Sequence, residues 1–195
     1  MRITTVINQK GGVGKTTTAH ALATGLNHRG YKSLVIDTDP QGNISFTMQA
    51  DATRAGLYEA MRGEISAAEA IQHTAQGDIM PSSLYLAGAD LEFTQTGREY
   101  RLRELLEDIT GNYTHIIIDS PPALGIMTIN ALTASSDIVI PVGADIYSLQ
   151  GLQQLLATVD KVKKYSNPAL ILAGVLITRK GQRAIATRQL IEAIQ

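Results

Sequence analysis

Cysteine is absent from the 195 residues. The chain therefore cannot build a disulfide framework, a thiolate metal site, an iron–sulfur cluster or a cysteine nucleophile. That fits a reducing compartment. Long hydrophobic runs are missing too. The longest, 169–177, falls far short of the roughly 20 residues that span a bilayer. The first residues read as a strand rather than a secretory leader, so the expected location is the cytoplasm. Hydrophobic residues make up 44% and charged residues 18%, which excludes a disordered or fibrous chain. Net charge is small, at −1. It hides an asymmetry, because residues 160–195 hold seven basic side chains against two acidic ones. A basic end on a near-neutral protein points to a polyanion partner, or else to a solvated helix face.

Short, continuously apolar runs alternate with longer helical patterns. Residues 3–7, 33–37, 116–119, 138–142 and 170–177 read as strands buried on both faces of a parallel sheet. Residues 15–29, 91–109, 128–134, 149–164 and 184–194 read as helices. The alternation predicts a doubly wound, mostly parallel α/β sheet flanked by helices, as one domain over 1–195. Between 50 and 90 the pattern is less regular, with short helices expected at 56–61 and 67–72 and a strand at 84–87.

The first strand runs into Asn8-Gln9-Lys10-Gly11-Gly12-Val13-Gly14-Lys15-Thr16-Thr17, and a helix follows. Small residues let backbone N–H groups converge on phosphate oxygens, and the helix N-terminus adds partial positive charge. Lys15 can reach the outer phosphates, and the Thr16 hydroxyl can ligate Mg²⁺. The alternative, a glycine-rich turn before a helix, does not account for strand, glycines, Gly-Lys-Thr and helix in this order. Lys10 is the unexpected residue. It would be repelled by Lys15 unless phosphate charge lies between them. A tight homodimer would place Lys10 against the partner's nucleotide, as a finger acting in trans.

Mg²⁺ and an attacking water call for carboxylates at the carboxyl edge of the sheet. Two strands end that way, at Asp37-Thr38-Asp39-Pro40 and at Asp119-Ser120-Pro121-Pro122. Asp119 fits the metal-holding position, and both Asp37 and Asp39 can face the phosphates. A lone strand-end Asp would more simply cap a turn. Guanine-specific phosphate-loop proteins carry a late strand-end Asp, and Gly181 stands in its place, so ATP is the expected nucleotide. Thr178 and Arg179 are the candidates to border the adenine.

Lys10-Gly11-Gly12-Val13-Gly14-Lys15-Thr16-Thr17 resembles the deviant phosphate loop of the ParA/MinD class of ATPases. The stretches at 37–43, 56–64, 69–74, 81–92 and 141–152 are similar to Soj-type ParA proteins, which segregate chromosomes and plasmids. The resemblance implies ATP and Mg²⁺, with Lys10 crossing a sandwich homodimer, Asp39 orienting the hydrolytic water and Asp37 near the metal. It also implies nonspecific DNA binding on the nucleoid and a ParB-like partner. Arg179, Lys180, Arg183 and Arg188 are the candidate DNA contacts, through phosphate rather than bases.

Two departures qualify the match. Arg179-Lys180-Gly181-Gln182 replaces the usual Met-Tyr-Asp-like turn, and Soj-type chains usually continue beyond the helix at 184–194. Part of the base pocket or DNA face is then expected to be missing or rebuilt. Competing readings are a MinD-like membrane switch, a ligase such as dethiobiotin synthetase, and a nucleotide-binding scaffold without turnover. The membrane reading is weak because the 184–195 helix carries one basic residue, Arg188. The histidines His20, His28, His73 and His115 lack metal spacing and read as structural. Met127 reads as core or dimer packing.

Overall fold

The computed structural model describes residues 1–143 and 147–178, of 147–150 the backbone alone. The expected helix at 184–194 and the candidates Arg179, Lys180, Arg183 and Arg188 lie outside the described residues. In chain order the elements are β1 (Arg2–Val6), α1 (Lys15–His28), β2 (Ser33–Asp37), α2 (Asn43–Thr47), α3 (Leu57–Arg62) and α4 (Ala67–Ala70). There follow β3 (Gln72–Thr74), β4 (Gly77–Met80), α5 (Ala89–Glu92), α6 (Arg101–Glu107) and β5 (His115–Asp119). The described chain ends with α7 (Ile126–Ala134), β6 (Asp137–Gly143), α8 (Tyr147–Tyr165) and β7 (Ile171–Thr178).

Seven strands form one sheet in the order β3-β4-β2-β5-β1-β6-β7. All neighbours pair parallel except β3 with β4. The five apolar runs all form strands; the first four are buried on both faces, whereas β7 ends the sheet and leaves Ile171, Leu172 and Leu176 exposed. Alternation along a strand sends Leu34, Ile36, Ile116 and Ile118 to one side, against Leu57, Leu102, Leu106 and Met127. Val35 and Ile117 face the other side, against Ala19 and Ala23 of α1. The amphipathic α8 places Leu155, Val159 and Val162 on Ile138, Ile140 and Val142 of β6. Met127 is therefore core. Among the described residues no helix is long and apolar enough to cross a membrane.

Three local expectations need correction. The strand expected at 84–87 is a 3₁₀ turn over Leu84–Gly88. Leu86 and Ala89 are buried three residues apart while Leu84 and Tyr85 are exposed, which is a helical spacing. The edge of the sheet is made instead by β3 and β4, a hairpin too polar and too short to read as strands. The helix expected at 91–109 is interrupted. Gly97 takes φ +83°, a 3₁₀ turn covers Arg98–Tyr100, and only then does α6 begin. The helix expected at 67–72 stops at Ala70, where the chain enters β3.

Candidate functional site

The sheet order places the ends of β1, β2 and β5 side by side. Asp119 pairs in register with Val6 of β1 on one side and with Asp37 of β2 on the other. Neighbouring strands lie about 4.8 Å apart, so two carboxylates and the loop after β1 share one edge.

Gly12 and Gly14 adopt positive φ, at +71° and +91°, a backbone that side-chain-bearing residues rarely accept. Gly14 caps α1 with no side-chain acceptor, which leaves the first-turn N–H groups for an anion. Gly11 and Gly12 face open space. Val13 is buried, and Thr17 is exposed on the first turn of α1. Asn8, which sequence reasoning missed, fixes the loop. Its Oδ1 accepts from the Lys10 N–H at 2.9 Å, and its Nδ2 donates to the Pro141 carbonyl at 2.7 Å. The only sequence signal was a polar residue at the end of an apolar strand. Thr178 closes the other side, with Oγ1 donating to the Val13 carbonyl at 2.6 Å. Its hydroxyl is thus engaged by the phosphate loop. Arg179, its partner in the adenine expectation, lies outside the described residues.

Lys15 is nearly buried, and its Nζ approaches the Lys10 carbonyl at 3.4 Å. Burial lowers its pKa, while Asp119 and Asp39 oppose that shift. The Thr16 hydroxyl bonds the Asp119 carboxylate, yet Asp119 Oδ1 is buried without a partner. Asp119 is pushed up to about 7 by burial, with Asp37 and Asp39 adding repulsion against the help of Thr16 and Lys15. Asp37 is held differently. Its Oδ1 accepts from the Asp39 N–H at 3.1 Å, and its Oδ2 accepts from the Ser45 N–H at 3.0 Å and hydroxyl at 2.6 Å. Burial still raises it to about 6. Asp39 directs Oδ1 to the Gln41 N–H at 3.0 Å. The edge thus joins Lys15, Thr16, Asp37, Asp39 and Asp119, with carboxylates in excess over buried cations. An orphaned buried carboxylate oxygen beside a threonine hydroxyl suits a hard divalent cation.

A model of the AAA domain family matches residues 1–172. The sporulation initiation inhibitor protein Soj of Bacillus subtilis is 42% identical over 200 aligned residues, covering 100% of this chain and 79% of that protein. The chain belongs to the ParA/MinD family. Two solved structures extend the match of this ParA-type ATPase. Cobyrinic acid a,c-diamide synthase of Mycobacterium smegmatis, with bound ADP and magnesium, has a TM-score of 0.93 at 34% identity, covering 100% of this chain and 81% of that one. A plasmid partition protein from Borrelia burgdorferi has a TM-score of 0.87 at 28% identity, covering 98% of this chain and 84% of that one.

The raised carboxylates set the pH dependence of the metal-free ParA-type protein. A carboxyl with a higher pKa folded than unfolded binds its proton more tightly in the fold. Its contribution therefore falls as pH rises from about 4 towards 7. From pH 5.5 to 7.5, metal-free stability should drop by about 3 kcal/mol through Asp37 and Asp119 together. Urea unfolding in a chelator at the two pH values measures it. Asp119→Asn should flatten the slope, and an unchanged slope in that variant would refute the assignment.

Proposed function

We propose that this protein is a Mg²⁺-dependent, intrinsically slow ATPase that works as a partition switch. ATP favours a sandwich homodimer that binds DNA without sequence preference on the nucleoid. A ParB-like, DNA-bound partner accelerates hydrolysis and so returns the protein to the monomer. The observation that carries the reading is a second lysine, Lys10, in a phosphate loop whose chain matches a Soj protein at 42% identity from end to end.

The loop N–H groups from Gly11 to Thr17 and the buried Lys15 bind the phosphates. Thr16 and Asp119 would hold Mg²⁺, which would supply charge neutralisation to the outer phosphates. Asp37 lies beside that position, but its three hydrogen bonds commit it first to shaping the Asp39 loop. Asp39 orients water towards the terminal phosphate. Lys10 acts across the dimer on the partner's nucleotide, opposing the charge that develops as the phosphoryl group leaves. Arg179, Lys180, Arg183 and Arg188 provide phosphate contacts to DNA, drawn from the basic region 160–195.

Sedimentation with ATP and Mg²⁺, with and without nonspecific duplex DNA at two salt concentrations, tests this. The expected result is an ATP-dependent dimer that joins DNA at low salt and leaves it at high salt. A dimer indifferent to DNA at both salts would reject the partition reading in favour of the membrane branch. The cobyrinic acid enzyme's similarity supports a metabolic reading, which predicts a monomer whose ATP turnover waits for an organic acid substrate.

A further inference from the structure

We propose that Ser82 is a positioning residue for Asp39, reaching across from the end of β4 to fix the loop that carries the water-orienting carboxylate. The inference rests on the ATPase reading above.

The Asp39 loop is tied to β5 on its N-terminal side, where Thr38 donates its N–H at 3.0 Å and its hydroxyl at 2.8 Å to the Asp119 carbonyl. Asp39 N–H donates to the Asp37 carboxylate at 3.1 Å, and its carbonyl accepts from the Gly42 N–H at 2.9 Å. Both partners belong to the same turn. Past Thr38 these bonds close the turn on itself, so the carbonyl side of residue 39, and with it the carboxylate, depends on a further tie. The Ser82 hydroxyl supplies that second tie, donating to the Asp39 carbonyl at 2.6 Å across 43 residues of sequence. Ser82 is itself anchored on both sides. Its N–H donates to Ser45 Oγ at 3.0 Å, and the preceding Pro81 carbonyl accepts from the Leu57 N–H at 2.9 Å. Gly56 is required beside that carbonyl, since a Cβ there would stand 2.5 Å from it. Ser45 in turn donates to Asp37 at 2.6 Å. Two serine hydroxyls thereby link the β4 end to both residues 37 and 39. Pro81 has no N–H to offer the sheet and fixes its own φ, which turns the chain out of β4 towards the site.

This arrangement constrains orientation rather than affinity. Ser82 bonds the backbone of residue 39 and none of the phosphate-loop groups, so its loss should reach turnover and spare nucleotide binding. Ser82→Ala is expected to lower kcat about fivefold to tenfold, the scale of one hydrogen bond that holds a reacting group in place. Binding of a fluorescent ATP analogue with Mg²⁺ should change less than about twofold, since the phosphate-loop N–H groups are untouched. Ser82→Thr keeps a hydroxyl and should recover most of the loss. In an Asp39→Ala background, Ser82→Ala should add nothing to the defect, because the two act as a unit.

Steady-state kinetics, analogue binding and thermal melting on these variants decide it. Turnover unchanged in Ser82→Ala, with Asp39→Ala inactive, overturns this inference and leaves the ATPase reading standing. Additive losses in the double variant also overturn it, as would a fall in binding and melting temperature with kcat intact. Wild-type turnover retained by Asp39→Ala overturns the role of Asp39 and this inference with it. If Ser82→Ala does not fold, Ser82→Cys, of similar size with a weak donor, carries the same comparison.

Discussion

Lys15→Ala is expected to reduce kcat/KM for ATP at least about a hundredfold, the scale lost when a positioned cation is removed from a phosphoryl-transfer site. Lys15 is the nearly buried cation at an edge that carries Asp37, Asp39 and Asp119. Its removal takes away the cation proposed to meet the phosphates and also leaves those carboxylates less opposed. The second consequence makes the loss deeper than one missing contact. Asp119 is lowered by Lys15 and raised by burial, so without the lysine it should titrate above about 7 and hold a cation less readily at neutral pH. Adding Mg²⁺ at millimolar excess should therefore recover only part of the defect. Lys15→Arg is not expected to rescue. The ammonium sits 3.4 Å from the Lys10 carbonyl, and a planar guanidinium does not reproduce the geometry of a compact point charge there. Steady-state ATP hydrolysis over a Mg²⁺ series measures both effects. Turnover within threefold of wild type for Lys15→Ala would remove the lysine from the chemistry.

Strand ends were legible because the physics there is local. An apolar run must stop where the chain leaves the sheet, and Asp37 and Asp119 announce both stops; the fold pairs them in register. The phosphate loop was legible for the same reason, since three glycines, one lysine and two threonines sit within seven residues. What escaped depends on partners distant in sequence. Asn8 bonds Pro141 across 133 residues, and Ser82 bonds Asp39 across 43. Nothing near either residue signals the contact. The β3–β4 hairpin escaped because Gln72-His73-Thr74 offers no apolar alternation and gains its order only by pairing with β4. Leu84–Gly88 misled for the opposite reason. Its Leu-Tyr-Leu looks like a strand, but the chain buries Leu86 and leaves Leu84 and Tyr85 outside. The two jobs at the β2 end were also hidden. Sequence spacing allowed Asp37 and Asp39 equally to face the phosphates. The hydrogen bonds from Ser45 and from residue 39 separate Asp37, held by three donors, from Asp39, whose carboxylate accepts from the Gln41 N–H.

That separation carries the second large expectation. Asp39→Ala should lower ATP hydrolysis by about a hundredfold or more, the usual contribution of a side chain that positions or activates water. Folding should survive the change. The N–H of residue 39 still reaches the Asp37 carboxylate, its carbonyl still accepts from Gly42 and Ser82, and only the Gln41 N–H loses its acceptor. That N–H lies in a part-buried turn, and its loss should cost about 1 kcal/mol. Nucleotide binding should hold as well, because the loop N–H groups, Lys15 and Thr16 are untouched. A protein that binds ATP but cannot spend it stays in the state ATP selects. The ATP-dependent dimer of Asp39→Ala should therefore outlast that of wild type after free nucleotide is removed, by a factor close to the loss in hydrolysis. Size-exclusion chromatography at timed intervals after dilution reads the decay. If the two dimers dissociate at the same rate, hydrolysis does not limit dissociation and the switch must be reset by nucleotide release. If Asp39→Ala turns over normally, water is oriented by another group at the edge, and Asp37 becomes the carboxylate to replace.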